Sequence, residues 1–497
     1  MTDTIEKNYL SYFISGLIPS IVTYVFWIVV GYFTNSEIIG TVALVITFAT
    51  LFSVLSSLDL SVGMRRFLGI AKEEGKMGEY KQIVSSSMLL SLITSIITIL
   101  IVLNPIFNLL EIFGVDEKFI PLIIVIIISD VLTKILVATL ISSLKSHKLI
   151  IPNIIASLSK FIILSIVIYN SNFTEIELAW SYSISYVILL AFLTGMVIKY
   201  FNKFPQKLFF NIKNNMKLVT HASLSNWIPH SINLIGSQFS ILVTYAYKGA
   251  DETGLFYISF IVYSFILMIP SSIFEINHPV MSGMQKLEKQ KILLQSSLKL
   301  GFLATIPLAA ILFFYGDYFL TVFGSEFSSS HEILSILILS LPIAIICYGS
   351  YYLIYARGNY KTVLYLGLSV NIPRLILYFV LVPILGGVGA AISFISGYFI
   401  QFILTVVIIE KLKVRLPYKN LILISIIPFI LGYVIEFLKI GILGIIPLIV
   451  GSFVIFLRIK LLNEEDIQGI LRMIMNDEAS KLKTNKIIKI LKKIYCM

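Results

Sequence analysis

Residues 119–143 read FIPLIIVIIISDVLTKILVATLISS. In about 25 positions the stretch holds one acid and one base, Asp130 and Lys134. A bilayer core of about 30 Å needs about 20 apolar residues in helical form. The stretch is therefore predicted to cross a membrane as a helix. Working outward from it, runs of the same kind lie near 9–33, 38–62, 83–107, 149–169, 176–201 and 218–247. Others follow near 255–280, 292–314, 332–356, 362–384, 386–409, 420–437 and 440–458. The runs are continuously apolar, whereas the strands of a membrane barrel alternate. The expected class is an all-α integral membrane protein of about fourteen transmembrane helices.

Composition agrees. The chain has 497 residues, 58% hydrophobic and 13% charged, with a mean hydropathy of +0.94. Soluble domains carry about a quarter charged residues. The two cysteines, Cys347 and Cys496, give neither a disulfide framework nor a metal-ligand spacing. No polar stretch is long enough for a separate soluble domain. The first run, Tyr9 to Phe33, is longer than a signal-peptide core and lacks a small-residue cleavage site, so it is read as a retained helix.

Lys and Arg accumulate in cytoplasmic loops and so set orientation. The loop after the second run carries Arg65, Arg66, Lys72, Lys76 and Lys81. Later even-numbered loops carry Lys145 and Lys148, then Lys199, Lys203, Lys207, Lys213 and Lys217. The pattern continues with Lys286, Lys289 and Lys291, with Arg357 and Lys361, and with Lys411, Lys413, Arg415 and Lys419. Odd-numbered loops hold acids instead, among them Glu111, Asp116, Glu117, Glu175, Asp251 and Glu326. A plasma-membrane protein with both termini cytoplasmic is expected. The net charge of +11 is mostly this inside bias and gives no evidence for nucleic-acid binding. In the tail, 459–497, Lys481 to Lys493 alternate with Ile487, Ile488 and Leu491 at helical spacing, which predicts a basic amphipathic helix on the inner leaflet lipids.

The chain looks duplicated. Glu37 to Gly40 (EIIG) matches Asp251 to Gly254 (DETG) at an offset of 214. Ile18-Pro19-Ser20 matches Ile228-Pro229-His230, and Phe113 to Asp116 matches Phe323 to Glu326. The expected organisation is a six-helix lobe at 1–210, a second at 211–410 in parallel repeat, and two further helices plus the basic tail at 411–497. Transporters repeated in this way bind substrate between their halves near mid-membrane.

Two six-helix lobes plus two helices resemble the layout of polysaccharide and lipid-linked oligosaccharide flippases. These are the Wzx-type members of the superfamily that also holds MATE multidrug exporters and lipid II flippases. The segments that carry the resemblance are LSSLDLSVGMRRF (55–67), YKGADETGLFYISF (247–260) and FGSEFSSSHEILSILILSLPIAI (323–345). YARGNYKTVLYLGLSVNIPRLILYFVLVP (355–383) and LGGVGAAISFISGYF (385–399) add to them. The resemblance covers nearly the whole chain but includes no invariant site motif. It implies transfer of a sugar-loaded polyprenyl phosphate or pyrophosphate from the inner to the outer leaflet.

Charges inside a membrane are costly and usually face a cavity or a partner. Lys134, Lys160, Lys299 and Arg374 fall within apolar runs, and Lys299 is close enough to its helix start to reach the interface. Lys160 and Arg374 lie half-way along their helices and 214 apart, the repeat offset. Such a pair suits an anionic phosphate, with Arg as the bidentate partner. Asp130 and Lys134, four apart, share one helix face and form either a structural ion pair or a switch for a coupling cation, H+ or Na+. Glu275 and His278 are further candidates for ion coupling. Asn226, Trp227, Asn233 and Gln238 make the seventh helix the most polar, suited to sugar contact or to interhelical hydrogen bonds, with His221 and His230 as weaker candidates.

Three functions compete. A cation-exporting MATE-like carrier should present acids in its cavity, whereas here mid-membrane cations outnumber them. A membrane glycosyltransferase generally needs acidic or histidine motifs in large outer loops, and none is present. No cofactor motif occurs and no enzyme activity is expected. A lipid-linked oligosaccharide flippase is the preferred expectation, with a lipid II-type flippase as an alternative that also carries pyrophosphate.

Overall fold

A computed structural model describes residues 2–169, 174–202 and 212–462. The basic tail predicted to lie on the membrane falls beyond 462, outside the described residues. Every regular element among them is a helix. Eleven helices are long and apolar enough to cross a membrane, or twelve if Ser325–Leu339 and Leu341–Ala356, bent by 41°, form one span. The outward surface is what lipid requires. On Met77–Val102, for example, Ile96, Ile97 and Leu100 are all more than half exposed.

Two of the spans exceed one crossing. Asn226–Gly283 has 58 residues and Tyr360–Lys411 has 52. Straight helices of that length would run about 80 Å, far more than the hydrocarbon core. Each is interrupted at one residue: Gly249 (φ 81°, ψ −171°) and Gly386 (φ 59°, ψ −135°). A side chain is strongly disfavoured in those conformations, so glycine is what lets the chain turn there. Gly386 stands at the junction of the apolar runs predicted at 362–384 and 386–409. The following amide, Gly387 N–H, donates to Glu252 Oε1 at 2.7 Å, which satisfies an orphan helix-start donor with a carboxylate.

Some predicted helix limits shift. The run at 38–62 is not one helix. Ser36–Ser57 ends at two left-handed residues, Leu58 (φ 45°) and Asp59 (φ 50°), and Leu60–Glu73 starts a separate amphipathic helix. Hydropathy could not reveal this break, because Leu60, Met64 and Leu68 beyond it are fully buried. The run at 332–356 bends near Ser340, whose hydroxyl donates to Leu337 O and is 2.9 Å from the Tyr263 hydroxyl. The helix of the run predicted at 255–280 continues to Gly283.

The chain forms two compact units. The first holds 1–258, 322–326 and 374–390, and the second holds 259–321, 327–373 and 391–497. In the first unit, a core of Leu60, Met64, Tyr80, Ile135, Leu193 and Val197 joins the basic-loop ends of several helices. In the second, Tyr418–Phe437 and Ile445–Arg458 pack on Leu287–Leu320 through residues such as Ile306, Ile424 and Phe456.

The duplicated EIIG and DETG segments meet inside the first unit. A Cβ on Gly40 would overlap the Ala250 carbonyl and Gly254 N, and a Cβ on Gly254 would overlap the Ser36 carbonyl. Ser36 and Ala250 stand 214 apart, as do Gly40 and Gly254. The contact is thus reciprocal, as a local two-fold axis through the crossing requires. Small residues permit such approach of backbones. The Ser36 hydroxyl also bonds the Asp251 carboxylate, and Ser36 N–H donates to Glu326 Oε1 at 2.6 Å.

Candidate functional site

Two polar centres of the first unit lie at the end of Ser36–Ser57. Ser53 there donates a hydrogen bond to Asp130, which lies in the middle of Ile120–Ser142. Lys134 Nζ sits 2.5 Å from the same carboxylate, one helical turn on. The i,i+4 spacing read from the sequence therefore makes a real ion pair. Its side chains are 19% and 32% exposed, so solvent or a headgroup can reach it, and the pair adds little stability.

Lys160 is held differently. It lies in Ile150–Tyr169 and is 5% exposed. Its ammonium donates to Thr23 Oγ1 at 3.1 Å and stands 3.8 Å above the Tyr182 ring, with Phe26 at 5.9 Å. Tyr182 is itself packed against Phe26 and Trp27, and Trp27 against Tyr257. No carboxylate lies within ion-pair distance of Lys160 among the described residues. The balance can be sized. A desolvated cation–π contact contributes about 2 kcal/mol, and a charged hydrogen bond about 1.5–3 kcal/mol. A lysine cation at the centre of a membrane helix costs about 3 kcal/mol on the insertion scale. Its neutral partners roughly offset a cost of that size, and none of them carries a countercharge.

Asp59 forms a third centre. The left-handed pair Leu58–Asp59 turns its carboxylate toward the polar helix, where Asn226 Nδ2 donates at 2.8 Å and His230 Nδ1 lies 3.0 Å from each oxygen. Trp227 Nε1 points to Val54 O at 3.4 Å, a weak contact from the same turn. The Asp59 side chain is only 6% exposed, while His230 is 45% exposed. Non-glycine residues in this conformation cost of order 1–2 kcal/mol each, and such strain gathers at functional sites.

Arg374 is 4% exposed and belongs to the same compact unit as Lys160. Asn371, one turn before it, is fully buried and donates to Gly367 O; one turn after it, the Tyr378 hydroxyl donates to Gly236 O at 3.0 Å. Asn233 and Gln238 are half-buried on the polar helix. Glu275 and His278 belong to the second unit and face tyrosines. Glu275 accepts a long contact from the Tyr352 hydroxyl at 3.5 Å, and the His278 ring packs against Tyr352 and Tyr355.

The structure thus brings together Asp130 with Lys134, and Asn226 and Trp227 with the Asp59 turn. Sequence reading missed Asp59, Thr23, Tyr182 and Ser53. Asp59 stands inside the quoted LSSLDLSVGMRRF, and an acid ending an apolar run was the available signal. Thr23 and Tyr182 carry no charge and stand out only once Lys160 is seen beside them. A cavity of about 700 Å³ lies elsewhere in the unit, lined by Glu37, Glu111, Asp116, Glu117 and Glu175, with Lys118 bridging Asp116 and Glu175. Its acidity makes it unsuited to an anionic cargo.

No protein-family model matches the chain, and no curated protein does. Solved structures do. The chain is similar to a structure of the lipid II flippase MurJ in an inward closed conformation, at 18% identity and a TM-score of 0.72, over 91% of this chain and 99% of that one. It is similar to an inward-facing multidrug resistance MATE family transporter of the MOP superfamily, at 15% identity and a TM-score of 0.64, over 81% and 99%. A MOP-superfamily transporter from Pyrococcus furiosus, reported with a binding pocket of reverse polarity that suggests a different function, matches at 16% identity and a TM-score of 0.57, over 82% and 97%. The chain shares the all-helical fold of these transporters.

Proposed function

We propose that this chain is a flippase that moves a polyprenyl-(pyro)phosphate-linked oligosaccharide from the inner to the outer leaflet by alternating access, in polysaccharide or glycan biosynthesis. The observation that supports this reading is Lys160, a buried lysine whose partners among the described residues are neutral. An anionic headgroup supplies the charge that Thr23 and Tyr182 do not. Arg374, at the equivalent point of the second repeat, is assigned to the same phosphate, with Asn226, Trp227, Asn233 and Gln238 toward the sugar. Lys134 and Asp130 respond to a coupling cation, H+ or Na+. Glu275 and His278, which face tyrosines, are a weaker coupling pair. Counting the bent pair Ser325–Leu339 and Leu341–Ala356 as one crossing, and each side of Gly249 and of Gly386 as one, gives fourteen, which we assign to lobes at 1–210 and 211–410 followed by 411–497. The setting is the plasma membrane, with both termini cytoplasmic.

A second reading is a MATE-like exporter of cations, favoured by buried Asp59. For the Pyrococcus furiosus transporter, pocket polarity is what suggests a change of function. By the same reasoning, the buried cations here favour an anionic cargo over a cationic one. The test is a glycan profile of a deletion strain. Lipid-linked oligosaccharide trapped on the cytoplasmic leaflet supports the proposal. Trapped lipid II would instead assign the lipid II-type alternative. Normal lipid intermediates with new sensitivity to cationic dyes would overturn the flippase reading.

A further inference from the structure

We infer that the hollow between Lys145, Lys148, Lys199 and Tyr200 is a binding site for the phosphate headgroup of an anionic lipid, separate from the Lys160 centre. The site is built by two helix ends. Ile120–Ser142 stops at Ser143, left-handed Leu144 (φ 55°) turns the chain, and Ser146–Leu149 forms a short 3₁₀ turn. The last turn of Glu175–Phe201 stands opposite. Between them is a cavity of about 370 Å³ lined by Leu140, Lys145, Lys148, Met196, Lys199 and Tyr200.

Among the described residues the lining holds three ammoniums, a phenol and no carboxylate. Like charges around one hollow repel, and a phosphate placed among them turns that repulsion into attraction. The hollow is also braced. Lys145 Nζ lies 3.6 Å over the Tyr200 ring, and Tyr80 meets Tyr200 edge-on with centroids 6.4 Å apart. The Tyr80 hydroxyl donates to Thr139 O at 2.6 Å, which ties this platform to the end of Ile120–Ser142. Leu140 and Met196 give the hollow an apolar wall, and the neighbouring Leu144 and Ile198 are exposed apolar side chains suited to the start of an acyl chain. These residues belong to the basic loops that the Lys/Arg distribution assigns to the cytoplasmic leaflet, where anionic lipids concentrate and basic pockets between helices take their headgroups.

The experiment uses full-length protein in phosphatidylcholine nanodiscs doped with phosphatidic acid, with retained lipid counted by native mass spectrometry. Phosphatidic acid should be retained and phosphatidylcholine lost. Each lysine near an anionic lipid is worth about fivefold, so the K145Q/K148Q/K199Q variant should bind on the order of a hundredfold more weakly. An unchanged gel-filtration profile checks its fold. If the triple variant does not fold, K148Q alone, at an exposed position, should bind about fivefold more weakly. Displacement of the lipid by millimolar inorganic phosphate would show that the hollow recognises the phosphate anion from either source. Failure of displacement would assign the site to the lipid. Equal retention of phosphatidic acid by wild type and the folded variant, or retention of phosphatidylcholine to the same extent, overturns the inference.

Discussion

The reciprocal crossing of Gly40 and Gly254 makes a quantitative demand. In Gly40→Ala, the new methyl overlaps the Ala250 carbonyl and Gly254 N, which are backbone atoms and cannot rotate away. The two helices must separate. Overpacking of that kind costs about 1–3 kcal/mol. Gly254→Ala pushes on the Ser36 carbonyl at the same crossing, so its cost should be similar. Once one methyl has parted the helices, the second meets less resistance. The double variant should therefore cost less than the sum, with a coupling of about 0.5–3 kcal/mol. Gly69→Ala is the control. It lies inside the amphipathic helix Leu60–Glu73 with nothing within 4 Å of the added methyl, and it should gain about 0.5–1 kcal/mol from helix propensity. Thermal unfolding in detergent, followed by intrinsic fluorescence, ranks the four variants. A drop of a few degrees for each glycine variant, sub-additive in the pair, with a rise for Gly69→Ala, is expected. Wild-type stability in Gly40→Ala and Gly254→Ala would refute the reciprocal contact.

Lys160→Met and Arg374→Ala should each abolish flipping of a fluorescent lipid-linked sugar in proteoliposomes while expression persists, and Arg374→Lys should restore it only in part, because a point charge cannot replace a planar fork. Wild-type flipping by the double variant removes both residues from the site. Asp59→Ala leaves the Asn226 amide and His230 without their shared acceptor and should lower stability by about 1–3 kcal/mol; an unchanged melting temperature would mean that water replaces the carboxylate. In a cysteine-free background, Cys at Glu175 or Ser328 should react with an impermeant maleimide from outside whereas Cys at Lys148 should not, and the reverse pattern inverts the orientation. Deleting 479–497 should reduce activity modestly, and loss of the protein from the membrane would make the tail part of the fold.

The sequence made the helical membrane class legible because the energy that selects it is local. Each apolar run must satisfy its own backbone hydrogen bonds in lipid, so composition and length suffice. The Asp130–Lys134 pair was legible for the same reason, since both residues share one helix. The repeat was legible as an offset of 214, and so were the buried cations, which stand out against apolar runs. Residue order does not carry the rest. The break at Leu58–Asp59 is silent in hydropathy because buried leucine lies beyond it. The aromatic cage of Lys160 draws Thr23, Phe26 and Tyr182 from remote segments. The crossing of Gly40 with Gly254 and the hollow between Lys145, Lys148 and Lys199 exist only where separate helices meet. What the sequence determined by itself was the membrane helical class and the location of most of its apolar helices. Which uncharged partner faces each charge was decided by tertiary packing alone, because neutral hydroxyls and rings carry no pattern until the chain places them beside an ammonium or a carboxylate.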